Sequence, residues 1–179
     1  YLSHWHDDHF DMIPDIINSS IKVEKIYLPS FDYMEKGKAN IQTVKIEGEY
    51  KGEYINEPYN AYDTANKMRE RIIELADKKG IKIEYLWKGD QFTLGDAKID
   101  IIGPIESNSV NSTFGKNGRP YINNHSLVAM ITVGKTRFLS AGDIEKEEEK
   151  ALIDAGVNVS ADIMKLSHHG HNTSNTLSF

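Results

Sequence analysis

The sequence predicts a mixed α/β fold in which layers of strands and helices enclose a core, and three observations support this prediction. Segments of strand-like composition alternate along the chain with segments whose apolar residues recur at helical spacing. Of the 179 residues, 39% are hydrophobic and 27% are charged, which suits a chain that buries a core. No internal repeat or linker divides the chain, so we expect a single domain over residues 1–179.

The first elements are predicted from short apolar runs. Residues 1–3 have the character of a strand end that leads into a loop. The apolar positions within 10–17 predict a short helix, with Pro14 tolerated only in its first turn. Residues 23–28 predict a strand, which Pro29 closes.

A long polar stretch follows before the next helix. Residues 30–60 are rich in Gly, Lys and Glu and predict an extended loop or hairpin inserted into the domain. A helix is then predicted from Asp63 or Thr64, either of which can serve as its N-cap, to Lys79. Gly80 is expected to end this helix.

The second half of the chain is predicted to be mainly β-structure. Residues 103–123 predict a polar loop, and 144–155 predict a helix that ends at Gly156. The charged run 145–150 is expected to be the solvated face of that helix. The strands predicted between Gly-containing turns are 81–86, 91–94, 97–102, 126–133, 137–139 and the buried-looking 161–166.

The composition excludes several classes of protein. Cysteine is absent, which removes disulfide scaffolds, thiolate metal sites and cysteine nucleophiles. No apolar run approaches the ~20 residues of a membrane-spanning helix. The formal net charge of −6 is opposite in sign to that of a surface that coats nucleic acids. The sequence also contains no phosphate-binding P-loop and no Gly-x-Ser-x-Gly nucleophile motif.

The histidines identify a candidate site. They cluster near the two ends of the chain, which predicts a site that folding assembles from distant segments, and they lie at positions 4, 6, 9, 125, 168, 169 and 171. In an extended segment, side chains at i and i+2 share a side, so His4 and His6 can hold one metal ion. Asp8 and His9 can then reach a second ion about 3.5–4 Å away. The alternatives are a His-rich polar loop and a single structural zinc site.

The segment from Ser3 to His9 (SHWHDDH) resembles the signature loop of the metallo-β-lactamase superfamily. Three later segments resemble the ComEC-type branch of that superfamily, namely 123–128 (NNHSLV), 138–143 (FLSAGD) and 164–170 (MKLSHHG). The branch includes the hydrolase-like domain of bacterial DNA-uptake channels, stand-alone hydrolases and a cell-wall phosphorylcholine esterase. The resemblance covers residues 1–29 and 80–175 but not 30–60. It implies an αββα sandwich that here lacks its first strands and its C-terminal end.

The resemblance also implies roles for residues late in the chain. Asp143 would be the carboxylate that bridges two ions, whereas its ordinary alternative is an N-cap of the next helix. One of His168 and His169 would be a ligand, with His169 preferred and the other residue supporting the site or facing substrate. The implied ligand set is therefore His4, His6, Asp8, His9, Asp143 and one of His168 and His169.

The remaining polar residues of these segments are expected around the site rather than on the metal. Asp7 lies outside the ligand pattern and is expected to be solvated or to support a ligand. His125 is expected in a pocket or on the surface, and His171 on the surface or facing substrate. Asn124 and Ser126 match the branch and are expected to hydrogen-bond the site loops.

Together these features predict a binuclear metal-dependent hydrolase. Imidazole and carboxylate ligands suit Zn, Mn or Fe, and Zn is the expected ion. Two divalent ions would bring the pKa of a bound water toward ~7, and the resulting hydroxide would attack while Asp8 orients it. An anionic small molecule or a phosphodiester fits this chemistry best. A nuclease and a head-group phosphodiesterase both stay open, with nucleic acid as a substrate only.

Two other classes are alternatives to this hydrolase. One is a non-catalytic metal-binding domain, and the other is a redox protein of the flavodiiron type, although the sequence contains no recognisable flavin module. The location stays open, with the branch favouring an extracytoplasmic one. The tyrosine-rich stretch 30–60 is expected to border the active-site mouth and to select substrate, its alternative being a distant surface excursion.

A further expectation concerns the balance between the two ions. The superfamily completes its second metal site with a histidine near the C-terminal end, and residues 172–179 contain none. We therefore expect a well-occupied ion at His4 and His6, and a weak or absent one at Asp8 and His9.

Overall fold

A computed structural model describes residues 1–50 and 53–179 and shows a mixed α/β fold, as the sequence predicts. Its helices are α1 (Asp7–Phe10), α2 (Ile13–Asn18), α3 (Asp32–Gly37), α4 (Ala61–Lys79), α5 (Asn108–Asn111), α6 (Arg119–Asn124) and α7 (Lys146–Asp154). Its strands are β1 (Lys25–Pro29), β2 (Val44–Tyr50), β3 (Glu53–Tyr59), β4 (Lys82–Leu86), β5 (Gln91–Leu94), β6 (Ala97–Gly103), β7 (Val128–Val133), β8 (Thr136–Ser140) and β9 (Ile163–Lys165). Short 3₁₀ turns span Lys38–Asn40 and Ser167–Gly170. Within the described ranges, no helix is both long enough and apolar enough to cross a membrane.

The strands form two sheets and a separate hairpin within the described residues. β1 and β4 pair in parallel, with Ile26 opposite Ile83. β2 and β3 form an antiparallel hairpin in which Val44 lies opposite Tyr59. The larger sheet has the order β5-β6-β7-β8-β9, and its pairs are antiparallel except for β8 and β9. That last pair is parallel because α7 forms the crossover between its strands.

β7 is the central strand of the larger sheet, and the two-residue repeat of its side chains separates two hydrophobic clusters. Ala129 faces a cluster that also contains Ile99 of β6 and Leu86 of β4. Val128 faces the opposite cluster, which contains Leu152 of α7. The larger sheet therefore packs against the β1–β4 pair on one face and against α7 on the other.

A third hydrophobic cluster covers the outer face of the β1–β4 pair. Ala65 and Ile72 of α4 are buried there with Leu28 of β1. The packing order through the molecule is thus α4, the β1–β4 pair, the five-stranded sheet and α7.

Residues 1–3 connect the two sheets, whereas the sequence predicts the end of a strand there. The Leu2 N–H donates to the Tyr27 carbonyl over 2.9 Å, and the Ser3 carbonyl accepts from the Leu127 N–H over 2.8 Å. Both sheets consequently fix the position from which the His-rich segment begins.

The helix predicted over 10–17 is divided into α1 and α2. Pro14 lies in the first turn of α2, as predicted, and the division follows because a proline that lacks an N–H begins a helix more easily than it continues one. α4 ends at Lys79 with Gly80 in a left-handed conformation, as predicted. It begins earlier than predicted because the Asn60 side chain accepts from the Asp63 N–H.

The predictions for residues 103–123 and 161–166 are wrong. Residues 103–123 are not a simple loop, because they contain α5, capped by Ser107, and most of α6. The strand predicted at 161–166 is shorter and is not buried. Ile163 is 54% exposed because β9 is the edge strand of its sheet.

The stretch 30–60 forms α3 and the β2–β3 hairpin, which agrees with the hairpin alternative. Tyr33, Met34 and Ile41 are buried in the cluster beneath α4, so the first part of this stretch belongs to the core. The hairpin leaves Tyr54 70% exposed. Positions 51–52 of the predicted insertion lie outside the described residues.

α7 departs most clearly from the prediction of a solvated face. Glu145, Glu148 and Glu149 are all buried. The Glu148 Oε1 atom accepts from the Ile105 N–H over 2.6 Å, whereas its Oε2 atom has no hydrogen-bond partner among the described residues. Burial raises the pKa of Glu148 to about 9, although the hydrogen bond from Ile105 opposes this change.

The other two buried glutamates, Glu145 and Glu149, hydrogen-bond segments that are distant in sequence. Glu149 accepts hydrogen bonds from the N–H groups of Asn175 and Thr176 over 2.5 and 2.9 Å. Glu145 accepts from the Asn123 side chain over 2.8 Å. Glutamates of the acidic run thus hydrogen-bond chain segments on both sides of α7. The charge of the run alone does not indicate this role.

We expect Glu148→Gln to stabilise the protein at alkaline pH. Because the pKa of Glu148 rises to about 9 in the fold, its neutral form favours the folded state. The wild type should therefore lose stability as the pH rises from about 5 toward 9, by at most about 1.4 kcal/mol per pH unit. Urea unfolding at about pH 5, 7 and 9 measures this slope.

The exposed Glu57→Gln provides the matched control, because it removes a carboxylate that is not buried. The amide that E148Q introduces can keep the hydrogen bond from the Ile105 N–H without an ionisable group, so the slope should flatten only in that variant. Parallel pH profiles for wild type and E148Q would contradict the assignment.

Candidate metal centre

A serine orients two histidines of the segment that begins the chain. The Ser3 Oγ atom lies 3.0 Å from His4 Nδ1 and 3.5 Å from His9 Nδ1. Because each ring is held through Nδ1, its Nε2 atom is directed toward the other side chains of the site.

The loop that carries Asp143 packs against this segment through a glycine. Gly142 has a φ of +57°, and a Cβ there would lie 2.6 Å from the Ser126 Cβ and 3.2 Å from the Ser3 Cβ. The Asp143 N–H donates to Ser126 Oγ over 3.1 Å, and the Gly142 carbonyl accepts from the His168 N–H over 3.2 Å. A residue without a side chain is therefore what allows the site segments to meet.

Four predicted ligands converge at this point. They are Asp8, His9, Asp143 and His169, and one potential ligand atom from each lies within 4.8 Å of all the others. The Nε2 atoms of His9 and His169 are each 3.1 Å from Asp143 Oδ2. The same two nitrogens lie 3.6 and 3.4 Å from Asp8 Oδ2.

These separations fit a group that shares one cation. Two ligands at 2.0–2.1 Å from a tetrahedral ion lie roughly 3.4 Å apart. The separations of 3.1–3.6 Å between the imidazole nitrogens and the carboxylate oxygens lie around that value. Two imidazoles and two carboxylates form a donor set that suits Zn, Mn or Fe. The residues present can therefore hold a metal ion.

The four-residue group has a buried floor and an open rim. The side chains of Asp143 and His9 are 3% and 15% exposed. Those of Asp8 and His169 are 58% and 57% exposed. A ligand from solvent therefore reaches the group from the side of Asp8 and His169.

His4 and His6 form a second, buried pair beside this group. The His4 Nε2 and His6 Nδ1 atoms lie 3.1 Å apart, close to the spacing of two ligands of one ion. Burial lowers the pKa of His6 to about 3 and, together with the nearby histidines, that of His4 well below its usual value. Both rings are therefore neutral, which is the form that binds metal. The buried His6 Nε2 atom has no hydrogen-bond partner among the described residues.

Asp143 stays ionised in this setting. Burial alone would raise its pKa, but the hydrogen bond with His9 and the electrostatic influence of His9, His169 and Lys165 lower it below its usual value. The Lys165 Nζ atom lies 3.7 Å from Asp143 Oδ1. The centre thus combines a buried anion with a lysine ammonium group and two imidazoles.

The two adjacent histidines have different surroundings. His169 belongs to the four-residue group that could hold an ion, and its role as a ligand stays a prediction. The His168 Nδ1 atom lies 3.1 Å from Thr173 Oγ1 and 3.6 Å from Glu145 Oε1, outside that group. Both backbones are left-handed, with φ of 48° and 53°. Such angles are rare outside glycine and recur where a site constrains the chain.

The expected hydrogen bonds of the supporting residues are confirmed. Asn124 Oδ1 accepts from the Glu145 N–H over 2.8 Å, and Ser126 accepts from the Asp143 N–H. The N-cap of α7 is Glu145, so the alternative role of Asp143 as a helix cap does not hold.

Of the two positions expected for His125, the structure excludes the surface. His125 is 1% exposed and stacks on Tyr33 with ring centroids 4.8 Å apart. Its Nδ1 atom donates to the Tyr121 carbonyl over 2.7 Å. Packing against aromatic rings thus accounts for the buried position of His125. His171 is exposed, as expected.

The observed grouping of ligands bears on which of the two metal positions is expected to be better occupied. The four-residue group lies on the side of Asp8 and His9, where the sequence predicts the weaker ion, and it includes His169. His4 and His6 are not members of the four-residue group and form a separate pair. Occupancy of the two positions stays a prediction, and the geometry now favours the Asp8–His9 side.

Sequence reasoning missed two charged residues near the centre. Lys165 precedes the His-His-Gly element on β9, and Arg119 begins α6 with its Nη2 atom 3.8 Å from Asp7 Oδ1. Lys165 lies within the segment 164–170, but no role was predicted for it, and Arg119 belongs to no motif. Arg119 also follows Gly118 in a stretch that the sequence predicts as loop.

Comparison with known proteins gives one partial similarity. No family model matches the chain. ComE operon protein 3 of Bacillus subtilis (strain 168) is 28% identical over 101 residues, which is 56% of this chain. The match spans 12% of the length of that protein.

We expect His169→Ala to reduce metal binding and His171→Ala to leave it unchanged. Both histidines lie in the same loop, but only His169 contributes to the four-residue group. Loss of one protein ligand should weaken Zn binding by at least ~10–100-fold. Zn titration followed by calorimetry measures the change, and equal affinities in the two variants would show that His169 is not a ligand.

We also expect Asp143→Ala to lose more metal than His4→Ala or His6→Ala. The Oδ2 atom of Asp143 contacts His9 and His169, while its Oδ1 atom has no hydrogen-bond partner among the described residues, so the two oxygens can serve two ions whereas each histidine can serve one. Elemental analysis of dialysed protein gives the metal content, and circular dichroism identifies variants that fail to fold. Full retention of metal in folded D143A protein would exclude the bridging role.

Proposed function

We propose that the chain is a metal-dependent hydrolase of phosphodiesters, with a binuclear centre on a metallo-β-lactamase-like αββα sandwich. The single observation that carries the proposal is the convergence of Asp8, His9, Asp143 and His169, with the neutral His4–His6 pair beside them. These ligand types come from segments more than 130 positions apart in the sequence, and they meet within one site.

The packing order supports the proposed fold. Helix α4, the β1–β4 pair, the larger sheet and α7 follow one another as the layers of such a sandwich do. The partial similarity to ComE operon protein 3 agrees with the ComEC-type branch that the motifs resemble.

The residues of the chain prepare the site for hydrolysis. When bound, divalent ions of such a centre lower the pKa of a coordinated water and neutralise charge on the substrate. Ser3 holds His4 and His9 through their Nδ1 atoms, so their Nε2 atoms remain available as ligands. Asp8 is the exposed carboxylate of the group, and its Oδ2 atom can accept a proton from a water that enters at the rim.

Charge favours an anionic substrate at this position in spite of the net charge of −6. Lys165 lies at the centre and Arg119 lies beside Asp7, next to the ligand Asp8 in the chain. Ions held by the ligand groups would add further positive charge. A phosphodiester has an anionic group at the atom that is attacked, and a two-metal centre suits its in-line displacement. A nucleic acid and a lipid or sugar head group both contain this bond.

We expect the protein to hydrolyse bis-p-nitrophenyl phosphate when Zn or Mn is present and to lose this activity with a chelator. Asp8→Asn should lower kcat by roughly 100-fold or more, because it removes a ligand and a proton acceptor. Asp15→Asn is the matched control, since Asp15 is an exposed carboxylate on α2. Its kcat should equal that of the wild type.

The metal content and absorbance spectrum of the same protein preparation distinguish the alternative functions. Bound Zn or Mn without hydrolysis of any phosphodiester would indicate a non-catalytic metal-binding domain. Bound iron with a flavin absorbance band would indicate a redox protein instead. Equal kcat values in D8N and D15N would remove Asp8 from the catalytic machinery.

A further inference from the structure

A cation lies at the open rim of the candidate metal centre, near the signature segment. Arg119 is the first residue of α6, and its side chain is 47% exposed. Its Nη2 atom is 3.8 Å from the Oδ1 atom of Asp7, the residue that precedes Asp8. This distance exceeds that of a hydrogen bond, and an ion pair between two partly exposed groups is weak. An incoming anion can therefore compete with Asp7 for the guanidinium.

The β2–β3 hairpin holds this cation in place. The Arg119 Cζ atom lies 5.4 Å from the centre of the Tyr59 ring, within the range of a cation–π contact. Tyr59 ends β3 and is 9% exposed, so its ring is a fixed surface. Gly118 has a φ of +75°, and a Cβ there would lie 2.6 Å from Ile41 Cγ1. The backbone that leads into Arg119 thus packs directly on the stretch 30–60.

The guanidinium lies beside the segment that carries the candidate ligands. Its ion-pair partner Asp7 is the first residue of α1 and stands between His6 and Asp8 in the sequence. Tyr59 contacts the guanidinium through its ring. Arg119 and Tyr59 therefore lie together on the side of the site where α1 begins.

We propose that Arg119 binds the phosphate group of the substrate and that Tyr59 positions its guanidinium. The proposal rests on the phosphodiesterase function proposed above. A guanidinium offers a planar pair of N–H donors that matches two phosphate oxygens, which an ammonium group does not. The substrate reaches the centre from the exposed side of Asp8, and Arg119 pairs with Asp7, the residue next to Asp8 in the chain. Tyr59 is a positioning residue, and through it the stretch 30–60 contributes to substrate binding.

Steady-state kinetics with bis-p-nitrophenyl phosphate test the role of Arg119. Arg119→Ala should raise KM by about 10–100-fold, the usual worth of a hydrogen bond to a charged group, with a smaller effect on kcat. Arg119→Lys should restore part of the lost substrate binding, because lysine supplies the positive charge but not the planar pair of N–H donors. Arg71→Ala is the matched control, since Arg71 is an exposed arginine on α4.

Two substitutions at Tyr59 test its positioning role. Tyr59→Phe keeps the aromatic face and should leave KM within about threefold of the wild type, whereas Tyr59→Leu should raise KM toward that of R119A. In the R119A background, Tyr59→Leu should add little, since the two residues act through one contact. Additive effects of Y59L and R119A would show that Tyr59 does not act through Arg119.

Binding of inorganic phosphate separates this proposal from the proposed function. Calorimetry with Zn-supplemented protein should give a phosphate affinity that falls at least about tenfold in R119A and is unchanged in R71A. If the wild type hydrolyses no phosphodiester but shows this difference, the proposed function fails and the anion site stands. If hydrolysis occurs with equal KM in R119A and wild type, the role of Arg119 is overturned and the function stands. Phosphate binding that is equal in both proteins, or absent from both, also overturns the role of Arg119.

Discussion

The arrangement of the site depends on one buried carboxylate. Asp143 is 3% exposed, and an ionised group at that depth is stable only when charged or hydrogen-bonding partners surround it. His9 from the first segment, and Lys165 and His169 from the segment 164–170, provide this compensation. The close approach at Gly142 makes the meeting of those segments sterically possible. Removal of the carboxylate would therefore take away the hydrogen-bonding and charged partner that these three side chains share.

Local signals were sufficient for much of the fold. The strand Gln91–Leu94 and the end of α4 at Gly80 are as predicted, because turn residues and apolar spacing determine them within a few positions. Burial on α7 was not predictable in this way. Glu148 and Glu149 have the composition of a solvated helix face, and only the distant loops that they hydrogen-bond draw them inside. Packing partners that are remote in sequence override local pattern there.

The candidate site, like the fold, could be predicted from the sequence only in part. Sequence spacing identified the residue types that meet, including Asp8 and His9 in one segment and His169 in another. It did not indicate which histidines group together, because that depends on how the last loop folds back over Gly142. The contact between Arg119 and Tyr59 was equally hidden, since the two residues are sixty positions apart and neither belongs to a motif.

The left-handed backbone at His168 and His169 links the shape of the last loop to what the centre binds. Each such residue without glycine's freedom costs on the order of 1 kcal/mol, so the loop leaves this conformation unless its contacts compensate. A cation at His169 stabilises the strained conformer alone, and by thermodynamic linkage the strain lowers the cation's affinity to the same extent. An ion bound by His169 would therefore hold the loop in this conformation, and amide protection of the loop against hydrogen exchange would rise with occupancy.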